Sequence, residues 1–244
     1  MQRTMSEPAP LEDLESTVRR SDPDRWLASR FIADAARRAE VMALYAFDHV
    51  LARVPHQVSE PLMGEIRLTW WGEALDEIYG GGAVRSHPVA LAEAVRGRGL
   101  ERAPLDALIQ GRFSDLAPQP FDNVEAALVY AEQTAGVLAQ AAVQALGGPA
   151  NAQAASLAGR AYGLSLMAHR RAIGGTTRLP EGLDVRPLVM ETLAEARRGL
   201  GALPIEAFPA VAYATLARHY ASGRAPSALE KQLRLVWSAA SGRV

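Results

Sequence analysis

Residues 43–71 read ALYAFDHVLARVPHQVSEPLMGEIRLTWW, and this stretch decides the fold class. It predicts two consecutive helices. In the second helix, Ser59 is a suitable N-cap and Pro61 fits a first turn, where its missing N–H costs little. Apolar residues then recur at helical spacing, at Met63, Ile66, Trp70 and Ala74. Residues 52–56, between the two helices, include no carboxylate.

The rest of the chain continues the helical pattern. No stretch alternates with period two over a convincing length, so strands are not expected. The prediction is an all-α chain of roughly eight to ten helices, with a polar, partly frayed extension over 1–21 and one helical domain over 22–244. A helix is predicted to begin at Asp22-Pro23-Asp24. Further helical patterns cover 35–52, 87–95, 105–113, 123–146, 151–171, 186–199, 205–220 and 227–240.

Composition excludes several classes of function. The 26 basic and 27 acidic residues nearly balance, so nothing favours nucleic acid as a partner. The absence of cysteine rules out disulfides, thiolate metal sites and a cysteine nucleophile. Residues 1–15 are acidic and lack an apolar run, which is unlike a secretory or transit peptide, so a cytoplasmic protein is expected.

The candidate site residues lie near two helix ends. Asp48 and His49 follow the apolar run of the first helix, and His169, Arg170 and Arg171 end the helix predicted over 151–171. If these ends face each other, they form a basic cluster. The alternative for each cation is a favourable interaction with the helix dipole. Trp70 and Trp71 are expected in the core.

A metal site is poorly supported by the sequence. Magnesium prefers oxygen ligands, usually carboxylates. The helices predicted over 35–52 and 151–171, which carry the basic cluster, contain no pair of acids at i, i+4. Asp106, Asp115 and Glu132 are scattered, and each is most simply a surface or capping residue. Composition and periodicity alone leave the function open.

A set of motifs, in order along residues 25–180, resembles the squalene/phytoene synthase family. The match includes Arg25-Trp26-Leu27-Ala28-Ser29, Arg37-Arg38, Ala43-Leu44-Tyr45-Ala46-Phe47, Leu105 to Leu116, Tyr130 to Gly136, Gly159 to Gly163 and Arg178-Leu179-Pro180. This resemblance implies the isoprenoid synthase fold, a single helical domain around a central apolar cavity.

The sequence departs from this family at its two acidic motifs. Active members carry two Asp-rich DxxxD motifs that hold magnesium ions, which bind prenyl diphosphates. Here the first motif falls on Ala52, Arg53 and His56, and the second near His169 to Ala172, with no aspartate at either. This departure is similar to a divergent branch that includes a mitochondrial assembly factor for respiratory complex I.

The branch resemblance implies a pseudoenzyme without cofactor or metal, in the cytoplasm or peripherally at the inner membrane face. Its role would be assembly of a membrane respiratory complex or binding of a lipid or prenyl phosphate. The predicted ligand-binding residues are Tyr45, His49, Arg53, His169 and Arg170.

Two alternatives stay open. One is an active phytoene/squalene synthase-like prenyltransferase of isoprenoid biosynthesis, with Asp48 and Glu132 as catalytic acids that bind Mg²⁺. The other is an isoprenoid carrier without turnover or a protein partner.

Overall fold

The protein, examined as a computed structural model, is described over residues 11–81, 94–97, 99–149 and 152–244. Within these ranges it is helical and contains no strand, which confirms the all-α prediction. The helix predicted over 87–95 lies largely outside the described residues. The helices are α1 (Leu11–Ser21), α2 (Pro23–Ser29), α3 (Ala35–Arg53), α4 (Pro61–Tyr79), α5 (Arg102–Phe113), α6 (Val124–Ala131), α7 (Val137–Ala145), α8 (Gln153–Ala172), α9 (Arg186–Leu200), α10 (Ala217–Ala221) and α11 (Ala228–Ser241).

Side-chain caps explain where several helices begin. Asp22 accepts a hydrogen bond from the backbone N–H of Arg25, and Asp34 caps α3 in the same way. Asn123 caps α6 and Ser227 caps α11. Each oxygen satisfies a donor that has no partner within its helix. The predicted start of α2 at Asp22-Pro23 is therefore confirmed.

Helix α8 is the central element, packed against α6, α7, α9 and α10. Its partner on one side is a π-helical segment, Glu132–Gly136, which separates α6 from α7. Gly159 permits this approach, because a Cβ there would overlap the carbonyl oxygen of Ala135. The long helix predicted over 123–146 is a continuous helical run over 124–145, whose hydrogen-bond pattern changes to π-helical at Glu132–Gly136.

The buried face of α4 differs from the prediction. Met63 and Ile66 are about half exposed, whereas Leu68, Leu75 and Trp71 are buried. Trp71 packs edge-on against Phe47 of α3, with ring centroids 5.2 Å apart. The tertiary contact with α3 therefore decides which side faces inward, and the N-cap position belongs to Glu60 rather than Ser59.

Two other segments differ from their predictions. Residues 205–220 form 3₁₀ turns at Phe208–Ala210 and Ala212–Leu216 before α10. Pro209 has no backbone N–H to donate, so a regular α-helix cannot run from residue 205 through this position. Residues 11–21 are helical and α1 packs against α3. Leu14 and Val18 of α1 are buried, so this part of the chain is not frayed.

No helix among the described residues combines the length and apolar character needed to span a bilayer.

Candidate functional site

Tyr45 of α3, a predicted ligand-binding residue, belongs to a buried aromatic cage. The cage consists of Tyr45, Tyr162 and Tyr213, and the guanidinium of Arg25 lies 4.9 to 5.6 Å from their ring centroids. Burial raises the pKa of Tyr45, so its phenol is neutral at physiological pH. The cage therefore already holds a cation supplied by the chain itself.

Asp24 is the buried carboxylate beside this cage. Its Oδ2 accepts hydrogen bonds from Tyr162 (3.0 Å) and Tyr220 (2.6 Å), and its Oδ1 accepts one from Lys231 Nζ (2.7 Å). The carboxylate is thus fully partnered. Asp22, two residues earlier, pairs with Arg25 at 2.7 Å.

His49 and Arg53 lie one turn apart on the last two turns of α3. Burial lowers the pKa of His49, and Arg53 lowers it further, while Asp48 and Asp22 act in the opposite direction. Arg53 is exposed. Within the described part of the chain, it forms no salt bridge.

His169 and Arg170 end α8 at a different place. His169 Nδ1 donates to the carbonyl oxygen of Gly223 at 3.1 Å, and its ring packs on Tyr220 at 5.2 Å. Arg170 is exposed. Arg171 donates to the carbonyl oxygens of Pro180 and Leu183, and a groove of about 220 Å³ lies beside it.

The two halves of the predicted cluster are connected through the start of α2. On the α3 side, Tyr45 contacts Arg25, which is paired with Asp22. On the α8 side, the ring of His169 packs on Tyr220, which is bonded to Asp24. Residues 22–25 therefore link both halves. Among the described residues, no hydrogen bond, ion pair or ring contact joins His49 or Arg53 directly to His169 or Arg170, so their action as one site is a proposal.

Asp48, a candidate acid of the enzyme alternative, is held by Arg112 of α5. Its Oδ1 lies 2.6 Å from Arg112 Nη2, and both side chains are largely buried. Burial alone would lower the pKa of Arg112, but Asp48, Tyr130 and Asp115 outweigh it and raise that pKa. The guanidinium therefore stays charged and neutralises Asp48.

Asp115 continues this network and is not the solvated residue that its sequence position predicted. Its Oδ2 lies 3.4 Å from Arg112 and accepts a hydrogen bond from Tyr130 at 3.0 Å. Its Oδ1 pairs with Arg178 at 3.0 Å. Burial raises the pKa of Tyr130 to about 12, so the phenol keeps the proton that it donates.

Glu132, the second candidate acid, lies in the π-helical segment. One carboxylate oxygen accepts a hydrogen bond from Ser156, and the other lies 3.5 Å from Arg160 Nη1. A cation and a hydroxyl of α8 therefore hold this carboxylate against the central helix.

The donors at these positions differ from those that a magnesium cluster requires. Positions 52–56 and 169–172 supply alanine, arginine and histidine, and the acids of the alternative are in ion pairs with arginine. Among residues that the structure describes, no three His, Asp or Glu side chains group closely enough to hold a metal ion. This donor set does not fit Mg²⁺, which requires several free oxygen ligands.

Sequence reasoning missed Asp24, Arg25 and Lys231. One signal was available: Lys231 is the only lysine in a chain whose other basic residues are arginine. Its partner Asp24 lies 207 residues away, a separation that periodicity does not reach.

Three mammalian proteins are similar to this chain in sequence. The assembly factor 6 of NADH dehydrogenase (ubiquinone) complex I from Bos taurus and from Homo sapiens are each 30% identical to this chain over 132 residues. The protein of that name from Mus musculus is 32% identical over 133 residues. The aligned region covers 53% of this chain and 39% of each relative, so the chain spans well under half of their length.

Solved structures share the fold at low sequence identity. A dehydrosqualene synthase superposes with a TM-score of 0.76 at 16% identity over 95% of each chain. A squalene synthase from Alicyclobacillus acidocaldarius gives a TM-score of 0.71 at 15% identity, over 95% of this chain and 94% of the other. The family model described as squalene/phytoene synthase matches residues 18–172. This chain therefore belongs to the squalene/phytoene synthase family.

Proposed function

We propose that this protein is a pseudoenzyme of its family that binds an anionic head group without metal and acts in assembly of a membrane respiratory complex. The head group would lie at a mouth formed by His49, Arg53, His169 and Arg170. Arginine suits this task, because its planar fork matches the oxygens of a phosphate. Tyr45 would then position Arg25 behind the mouth and would not touch the ligand itself.

The pairing of the alternative acids with arginine carries the proposal. An enzyme of the alternative kind needs Asp48 and Glu132 free to bind magnesium. Instead, Arg112 holds Asp48 at 2.6 Å, and Arg160 and Ser156 hold Glu132. Breaking a largely buried ion pair costs several kcal/mol, so these carboxylates are poor candidates for a metal site. The cations at the mouth, in contrast, are exposed at Arg53 and Arg170.

The assembly role is supported by the relatives that share 30 to 32% identity with this chain, because all three are named as assembly factors. The aligned region is only 39% of the length of these relatives. The respiratory complex as partner and the stage of assembly at which this chain acts therefore belong to the proposal. A respiratory complex or its assembly intermediate is the expected partner.

Turnover is the first test. Purified protein is incubated with farnesyl and geranylgeranyl diphosphates plus Mg²⁺, while pyrophosphate and hydrocarbon products are followed. We expect neither product from protein shown to be folded by circular dichroism. Magnesium-dependent pyrophosphate release that is lost in Asp48→Asn and Glu132→Gln would overturn the pseudoenzyme proposal in favour of prenyl transfer.

Ligand binding is the second test, measured with farnesyl phosphate in buffer containing EDTA. Arg53→Ala and Arg170→Ala should each weaken binding several-fold, because each removes one charged donor to the phosphate. Arg20→Ala, an exposed arginine of α1, is the matched control and should bind like the wild type. A requirement for added Mg²⁺ would contradict metal-free binding at the mouth. Equal effects of Arg53→Ala, Arg170→Ala and Arg20→Ala would show that the phosphate does not bind there.

The assembly role has a separate readout. In cells that depend on this protein, its removal should lower the amount of fully assembled NADH dehydrogenase on native gels. The Asp48→Asn chain should restore assembly, because no catalytic acid is needed. Normal assembly in cells without the protein would refute this role and leave an isoprenoid carrier as the better reading of any ligand binding.

A further inference from the structure

Helix α11 has an apolar face that points away from the protein. Its outward side chains are Leu229, Leu233, Val236 and Trp237, which keep 65%, 62%, 52% and 54% of their surface exposed. They recur at i, i+4, i+7 and i+8 and so form one stripe, here called the α11 stripe. The opposite face is anchored inside, through buried Leu235 and Ser238 and the Lys231 pair with Asp24.

This arrangement inverts the usual surface helix, in which apolar residues face the core and charges face water. Contiguous exposed apolar side chains usually mark a binding surface. Among the described residues, apolar side chains are also exposed at Leu62, Met63 and Ile66 of α4 and singly at Met190 and Ile205, but the α11 stripe combines three exposed aliphatic side chains with a tryptophan that is itself 54% exposed.

A basic groove lies alongside the α11 stripe. Its volume is about 680 Å³, and its lining includes Trp237 and Leu233 together with four arginines: Arg197, Arg218, Arg234 and Arg243. Its described lining includes no Asp or Glu side chain, and Arg197 Nε donates to the main-chain oxygen of Val244 at 2.6 Å. Burial lowers the pKa of Arg197, and the charge of Arg218, which lines the same groove, lowers it further.

Glu230 pairs with Arg234 of the groove and is shared with other partners. Glu230 Oε1 lies 3.0 Å from Arg234, 3.4 Å from His219 and 3.5 Å from Arg224. One carboxylate thus serves two arginines and a histidine ring. The groove keeps an excess of positive charge, although the whole chain has a net charge of −1.

We propose that the α11 stripe and its arginine groove dock on an anionic lipid bilayer, with the stripe in the headgroup and acyl boundary and the arginines on lipid phosphates. An amphipathic helix with a tryptophan on its apolar face and basic residues beside it is typical of interfacial binding. Charge complementarity favours this occupant over a second copy of the chain, because a twofold contact would place the four arginines against four more. The proposal does not use the residues of the mouth.

The test is sedimentation of the 244-residue chain with vesicles. Two compositions are compared at low salt: phosphatidylcholine alone, and phosphatidylcholine with about one third phosphatidylglycerol. The wild type should bind the anionic vesicles and should not bind the neutral ones. Added salt should weaken the binding to anionic vesicles. Equal binding to both compositions, or binding to neither, would overturn the proposal.

Matched variants locate the surface. Val236→Glu lies in the stripe, and Val129→Glu changes a valine of similar exposure on α6. We expect about tenfold weaker vesicle binding for Val236→Glu and wild-type binding for Val129→Glu. Arg218→Ala should weaken binding roughly fivefold through loss of one basic contact, and Arg20→Ala should not.

Two outcomes would contradict this assignment. If Val236→Glu and Val129→Glu bind anionic vesicles equally, with equal thermal midpoints, the stripe is not the docking surface. If the wild type is a dimer that Val236→Glu dissociates and it binds no vesicles, a second copy covers the stripe.

Discussion

Lys231 Nζ lies 2.7 Å from Oδ1 of Asp24 and joins α11 to the start of α2. The side chain of Asp24 is 3% exposed and that of Lys231 is 17% exposed, so the pair is almost removed from water. Two phenols, Tyr162 and Tyr220, complete the shell of the carboxylate. The only lysine of the chain thus orients the helix whose opposite face is the α11 stripe.

Asp24→Ala should lower the free energy of unfolding by about 3 to 5 kcal/mol, because it leaves a largely buried ammonium and two phenols without their acceptor. Chemical denaturation measures this change. Asp106→Ala removes an acid from a half-exposed pair with Arg102 and serves as the control, with an expected cost of about 1 kcal/mol or less. Equal losses in the two variants would show that the Asp24 cluster adds nothing special.

Gly159→Ala should destabilise the protein by about 1 to 3 kcal/mol, since the new methyl group would overlap the carbonyl oxygen of Ala135 and push α8 from the π-helical segment. Gly72→Ala is its counterpart in α4, where nothing lies within 4 Å of the added Cβ. That change should stabilise the protein by about 0.5 to 1 kcal/mol, because glycine is a poor helix former. Shifts of the same sign in thermal unfolding would contradict this packing.

Arg112→Met should cost about 3 kcal/mol of stability, because it leaves Asp48 and Asp115 largely buried and close to each other with one cation fewer. Arg67→Met is the control on α4, where an exposed guanidinium donates to the side-chain oxygen of Gln57 at 3.3 Å. We expect a change within about 0.5 kcal/mol there. Urea denaturation of both variants measures the change in the free energy of unfolding. If Arg112→Met costs no more than Arg67→Met, the ion pair of Asp48 with Arg112 does not hold the carboxylate as its geometry indicates.

Acidification should weaken the fold in the range where histidine titrates. The pKa of His49 is lowered in the folded protein, so below about pH 6.5 the unfolded chain binds more protons than the folded one. Stability contributed by the neutral ring is therefore present above this pH and lost as pH falls toward the folded pKa. His219, whose pKa burial also lowers, acts in the same direction.

Thermal midpoints measured between about pH 7.5 and 5.5 test this effect. In His49→Gln, the thermal midpoint should fall less on acidification than in the wild type. His56→Gln is the control, because His56 is an exposed histidine in the turn after α3. If His56→Gln flattens the pH profile as much as His49→Gln does, the burial of His49 is not the cause.

Much of this protein could be predicted from the order of its residues. Local features depend on neighbours within one or two helical turns and can be predicted from the sequence. They include helical periodicity, the start of α2 at Asp22-Pro23 and the start of α11 at Ser227. The loss of both acidic motifs is likewise a property of residue identity at Arg53, His56 and residues 169–172. These observations predict the fold class and the family, and the structure and the comparisons confirm both.

Only the tertiary structure decided what each apolar face and each carboxylate meets. Periodicity marks an apolar stripe on both α4 and α11, but contact with Phe47 turns Trp71 inward while Val236 stays exposed. The partners of Asp24 and Asp48 lie 207 and 64 residues away, and such pairs form only when packing brings distant helices together. A sequence determines which side chains can bury or pair; the packed chain selects which of them do, because burial and ion pairing depend on position in space.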